Sequence, residues 1–153
     1  MITSDGTICE QITWDAPDGD HPARRASQRS YSAVARGNLE EWLTVYAEDA
    51  VIEDPVGPSM FDPEGVGHHG HEEIRKFWTA AIEPIATFHF HITDSHANGS
   101  ECANIGTITT TFHDGGQVDT ELVMVYRVNE DGSVASMRAH WEPERAMATY
   151  RKP

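Results

Sequence analysis

One stretch of the chain has a residue order that suggests acid–base chemistry: "VIEDPVGP", Val51 to Pro58. An apolar run ends there in two acids and a proline. Proline disfavours helical backbone at the residue before it and fixes its own φ, so Asp54 is expected to sit extended on a stiff corner. A carboxylate held beside apolar walls is disfavoured in its charged form, and its pKa rises. Raised toward neutrality, it becomes a base able to move a proton between two carbons. The simpler role for Asp54 is a turn cap that accepts nearby backbone N–H groups. Glu53 is expected to face the opposite way and to stay solvated.

Other chemistries find less support. His89 and His91 share one strand face, as a two-ligand metal site would require, but that face opposes the apolar Phe88, Phe90 and Ile92. His68, His69 and His71 occupy a glycine-rich loop leading into a helix, where polar residues are ordinary. No metal and no cofactor are expected. No Ser-His-Asp or Cys-His arrangement with a local motif occurs, and nothing reads as a phosphate-binding loop.

The elements that must position Asp54 can be read from hydrophobic spacing. Residues 1–22 read as an irregular arm closing in "DAPDGD", with Ile8, Ile12 and Trp14 available to lie against the body. Residues 23–153 read as one domain. A first helix starts near Pro22 and stops at Gly37, and Asn38 with Glu41 forms a capping-box-like start for "LEEWLTVYAEDA". Leu39, Trp42, Leu43 and Tyr46 fall at helical spacing there. "AVIEDPV" is a short β segment, and "GPSMFDPEGVGHHG" is too rich in Gly and Pro for regular structure. A third helix covers His71–Ile82. Beyond it the period changes from 3.6 to 2, with "HDGGQ" and "NEDG" as hairpin turns. Helices followed by an antiparallel meander imply an α+β fold, with helices on one face of a curved sheet. Such a layout makes a cone open at one end, where a small apolar ligand would bind. Tyr46, Phe61, Trp78, Met124 and Trp141 supply its large side chains. Alternation places Leu122, Met124 and Tyr126 on one face of their strand, and Met137, Ala139 and Trp141 on one face of theirs.

Composition narrows the partners. With 11 Lys+Arg against 25 Asp+Glu, the formal charge is -14, which repels phosphate backbones and anionic lipid. No nucleic acid or membrane partner is expected, and no apolar run approaches the roughly 18 residues of a membrane span. The N-terminus has neither the basic start nor the apolar middle of a secretory signal. Cys9 and Cys102 lack metal-type spacing and read as reduced thiols, so a cytoplasmic setting is expected.

Three segments together carry a family resemblance: "YAEDAVIEDPVGP", "GHHGHEEIRKFW" and "VYRVNEDGSVASMRAHW". Over residues 23–142 the chain resembles the ketosteroid isomerase branch of the NTF2-like (SnoaL-like) superfamily. The resemblance implies the NTF2-like cone, a homodimer packed through the outer sheet face, and isomerisation of a Δ5-3-ketosteroid by proton transfer. It places the catalytic base on Asp54, supporting aromatic residues on Tyr46 and Trp78, and a pocket tryptophan on Trp141. The oxyanion tyrosine of the family falls on Ser30, with Tyr31 one step along as the candidate donor. The second oxyanion donor falls on Met124, which cannot donate a hydrogen bond. That departure keeps open a non-catalytic binder of steroids or similar polycyclic ligands, and a polyketide cyclase on the same fold.

Overall fold

A computed structural model describes residues 11–153. Ile8 and Cys9 lie outside the described residues. The architecture is α+β: a seven-stranded, mostly antiparallel sheet in the order β1-β4-β5-β6-β7-β2-β3, with helices packed on its inner face. Helix α1 (Pro22–Ala35) begins with proline at its first position and with His21 Nδ1 accepting the Ala23 N–H. Its alanines Ala23, Ala26 and Ala33 are fully buried, so the helix lies close on the sheet. Helix α2 (Leu39–Val45) starts as expected, with Asn38 Oδ1 accepting the Glu41 N–H at 3.1 Å.

The structure corrects the reading of "YAEDA". Helix α2 ends at Val45, and strand β2 (Tyr46–Glu53) begins at Tyr46, where helical continuation was expected. Tyr46 pairs in parallel with Val134 of β7 (Val134–His140), and Ile52 with Met137. Tertiary pairing of Tyr, Val and Ile outweighs the helical spacing here. The arm read as irregular contains strand β1 (Ile12–Trp14), parallel to β4 (Thr87–Asn98) and with Ile12 buried. The loop after Asp54 also contains a short strand, β3 (His68–His69), paired with Val51 and Ile52.

Helix α3 (Gly70–Phe77) runs on into a π-helical turn (Trp78–Ile82), covering the third expected helix. Strands β5 (Glu101–Thr111) and β6 (Gln117–Val128) pair along their whole length across the expected "HDGGQ" turn. A short fourth helix, α4 (Pro143–Met147), follows β7 and was not anticipated. The sheet curves at a bulge between Ile92 and Asp94, opposite Gly106. A Cβ at Gly106 would lie 2.3 Å from the His91 carbonyl oxygen, so only glycine permits this bend. No helix among the described residues is long and apolar enough to cross a membrane.

Candidate functional site

Asp54 follows directly on β2, and its peptide bond to Pro55 is cis. The corner is tied to β7 by the Val56 N–H, which donates to the Ala139 carbonyl at 2.9 Å. Glu53 is turned away, as expected, but it is ion-paired and not merely solvated: Arg138 Nε donates to Glu53 Oε2 at 2.6 Å. That pair follows from register, since Glu53 and Arg138 are cross-strand neighbours.

The chain then loops back over the cavity mouth, and Asp62 closes the loop. Its carboxylate accepts three backbone N–H groups, from Gly65 at 3.1 Å, Val66 at 3.2 Å and Gly67 at 2.8 Å. Burial would raise the Asp62 pKa, but these bonds and the nearby His68 hold it below the usual carboxylate range. Gly65 has φ +68, and a Cβ there would fall 2.7 Å from the Pro58 nitrogen, so the turn requires glycine. This loop carries Phe61 against the edge of Phe77, with ring centroids 5.9 Å apart.

Under the loop lies a cavity of about 310 Å³. Asp54 and Trp141 stand in its wall with Phe61 and Phe77, and the β5–β6 hairpin contributes Ile108 and Leu122. Trp141 Nε1 donates to Asp54 Oδ1 at 2.6 Å. Burial pushes the Asp54 pKa up, and the Trp141 bond, which favours the charged form, offsets part of that rise. The result is a carboxyl with one side-chain donor in a mostly apolar cavity. Such a group can take up a proton from a bound carbon acid and return it elsewhere.

Of the residues singled out in the sequence, Asp54, Phe61 and Trp141 line this cavity; Tyr31, Tyr46, Trp78 and Met124 do not. Tyr46 and Trp78 instead pack against Trp42 in the core, at 5.0 Å and 5.2 Å between ring centroids. The Tyr46 hydroxyl pairs with Ser30 Oγ at 2.9 Å. Tyr31 is 2% exposed and stacks on Phe90 at 4.8 Å. Its hydroxyl accepts from Asn104 Nδ2 and points at Met124 Sδ. Burial pushes the pKa values of Tyr31, Tyr46 and Tyr126 upward, so all three are neutral hydroxyls. The His89 and His91 rings turn to the β1 side, bonding Thr13 Oγ1 at 3.0 Å and Asp15 Oδ2 at 2.8 Å.

Two groups escaped the sequence reading. Thr110 and Thr120 place hydroxyl-bearing side chains on the cavity wall. Asn104, fully buried, lies at the centre of a polar network under it. Period-2 alternation from Cys102 through Asn104, Gly106 and Ile108 was the available signal for both, once the hairpin register was set.

Comparisons with known proteins agree with this geometry. The model of the SnoaL-like domain family matches residues 27–137. A steroid Delta-isomerase from Nocardioides simplex is 31% identical over 121 residues, covering 78% of this chain and 89% of that protein. The solved Δ5-3-ketosteroid isomerase from Mycobacterium sp. superposes with a TM-score of 0.77 at 29% identity, covering 88% of this chain and 100% of the other. A Mycobacterium tuberculosis protein solved with estradiol-17β-hemisuccinate gives a TM-score of 0.76 at 30% identity, covering 86% and 99%. The chain belongs to the SnoaL-like (NTF2-like) family, within its ketosteroid isomerase-like branch.

Proposed function

We propose that this protein isomerises a steroid-like polycyclic ketone by moving a proton within it, with Asp54 as the base. The observation that carries the reading is the Asp54 carboxyl in the wall of an apolar cavity, held by Trp141 and raised in pKa by burial. The relatives named as steroid isomerases support the substrate class. At about 310 Å³ the cavity falls at the lower end of the roughly 300–1,000 Å³ typical of small-molecule sites. Ionised Asp54 removes a proton from a carbon next to the carbonyl, giving a dienolate. Protonated Asp54 then delivers that proton to the far carbon of the conjugated system, and the carboxylate is restored. Tyr31 is the candidate donor to the dienolate oxygen. The test is an ultraviolet assay for conjugated-enone formation from a Δ5-3-ketosteroid, beside Asp54→Asn. Turnover that survives the substitution sinks the assignment of Asp54.

A second reading, a binder of steroid-like ligands without catalysis, is favoured by one observation: neither Tyr31 nor Met124 opens onto the cavity. It predicts saturable steroid binding with no enone formed. In either case assembly as a homodimer would use the outer sheet face, where Ile105 is 40% and Val123 37% exposed. Sedimentation of the wild type beside Val123→Lys tests that, and a monomeric wild type rejects it.

A further inference from the structure

The inward-facing side chains of the sheet form rungs that step away from Asp54 along the cavity. Trp141 follows His140, the partner of Val123 on β6, so it stands level with Leu122. This is the rung of Asp54, whose carboxyl accepts the Trp141 N–H. The next rung pairs Ile108 with Thr120, and the one after it joins Phe88, Thr110 and Val118. At about 3.3 Å per residue, these rungs lie roughly 7 Å and 13 Å beyond the Asp54 level. In the other direction the β6 row continues to Met124, which is buried and does not line the cavity. A ligand whose reacting carbon meets Asp54 therefore extends its remaining rings toward the two threonines.

Apart from Asp54 and Trp141, Thr110 and Thr120 are the only lining side chains among the described residues that carry oxygen or nitrogen. Their outward-facing neighbours spend their hydroxyls on other side chains. Thr109 donates to Asp119 Oδ1 at 2.7 Å, and Thr111 accepts from Gln117 Nε2 at 3.0 Å. The inward pair does not. Thr110 Oγ1 reaches only the Val118 carbonyl, at a long 3.4 Å, and Thr120 Oγ1 has no hydrogen-bond partner among the described residues. Nor is the Thr120 hydroxyl sealed off, since the buried side-chain polar atom left without a partner among the described residues is His68 Nε2. Thr120 Oγ1 is thus accessible, on a residue of the cavity wall. Diagonal neighbours on one face of an antiparallel pair lie about 7–8 Å apart, so one oxygen placed between Thr110 and Thr120 can reach both hydroxyls.

We propose that Thr110 and Thr120 form a distal subsite for a hydroxyl group on the end of the ligand remote from the reacting ketone. Thr120 donates to the ligand oxygen. The ligand hydroxyl donates in turn to Thr110 Oγ1, whose own proton is directed at the Val118 carbonyl. A hydroxyl can do both, a carbonyl only accepts, and a hydrocarbon end leaves both threonines unpartnered. The two residues therefore set specificity, ranking a far-end hydroxyl above a carbonyl and a carbonyl above hydrocarbon. The inference rests on the reading of the ligand as a polycyclic ketone and adds the chemistry of its far end.

The experiment titrates three conjugated 3-ketosteroids into the full chain and measures their affinities by calorimetry. The three bear a hydroxyl, a carbonyl or no oxygen on the five-membered ring. The wild type is expected to bind the hydroxyl ligand about tenfold more tightly than the unsubstituted one, with the carbonyl ligand between them. Thr110→Val and Thr120→Val each narrow that gap to about threefold, and the double variant closes it. Binding of the unsubstituted ligand holds or tightens in all three variants, which reports an intact cavity. Thr120→Ser keeps the hydroxyl and keeps the preference. Should the double variant fail to fold, the single ones carry the comparison. Equal wild-type affinities for the three ligands, or a preference that survives both valine substitutions, overturns the subsite and leaves the polycyclic-ketone reading intact. A wild type that binds none of the three overturns both. A preference for the hydroxyl ligand without conversion of a Δ5-3-ketosteroid refutes Asp54 catalysis and leaves the subsite standing.

Discussion

The two polar regions of the interior are built on opposite principles. Around Asn104 the network places its protons on defined acceptors until one remains, so geometry is fixed and charge is not adjustable. Around Asp54 a single N–H meets the carboxyl and the remaining walls are mostly apolar, so the charge state is the adjustable quantity. A satisfied network orients a donor, whereas an under-solvated carboxyl tunes a base. Met124 Sδ lies at the edge of the first region, against the Tyr31 hydroxyl.

The largest break in this contrast comes from Asp54→Asn. Removing a positioned general base costs on the order of 100- to 10,000-fold in turnover. The same change should raise thermal stability at neutral pH. The folded-state pKa of Asp54 lies above its unfolded value, so the folded state holds the proton more tightly. Its contribution favours folding in acid and is lost as pH rises through the folded pKa. The gain from Asn therefore shows at neutral pH and disappears in acid, as melting curves across pH would reveal.

Next comes Asn104→Ala, which strands Ser27, Ser95 and Tyr31 in a dry interior. Unsatisfied buried polar groups cost about 1–3 kcal/mol each, so a loss on the order of 3 kcal/mol is expected in denaturant unfolding. A loss under 1 kcal/mol would show that the network is not held as described. Asp62→Asn follows, at about 1–3 kcal/mol at neutral pH, because three backbone N–H groups lose a charged acceptor. Here the sign is opposite to that of Asp54. The pKa of Asp62 is depressed, so its contribution is present above roughly pH 4 and is lost as pH falls. The difference between wild type and Asp62→Asn should close in acid, and a constant difference would reject the assigned cause.

The sequence made the Asp54 corner legible because proline and the apolar run before it are local signals. The β5–β6 hairpin was legible for the same reason, through "HDGGQ" and period-2 alternation. Tyr46 was misplaced on a helix because its fate depends on pairing with Val134, a partner 88 positions away that spacing cannot show. Strand β1 was missed likewise, since three residues become a strand only beside β4. Trp78 and Met124 were assigned to the cavity by size and face. The structure puts Trp78 against Trp42, and Met124 under two hydroxyls, one layer deeper. Depth along an inward-facing row is a tertiary quantity, and alternation gives only the face.

The finest adjustment lies at the Trp141 N–H. Trp141→Phe keeps most of the ring that walls the cavity and removes only the donor 2.6 Å from Asp54 Oδ1. That bond favours the ionised carboxyl, so losing it leaves desolvation less opposed and moves the Asp54 pKa further up. Proton abstraction requires the ionised form. The acid limb of kcat/KM therefore shifts to higher pH in the variant, while the rate well above the limb changes little. At neutral pH the effect is a few-fold, the smallest of the series. A limb that stays in place would mean that Trp141 does not hold Asp54 when the substrate is bound. A limb that moves down would mean that the N–H favours the neutral carboxyl, reversing the electrostatic role assigned to it.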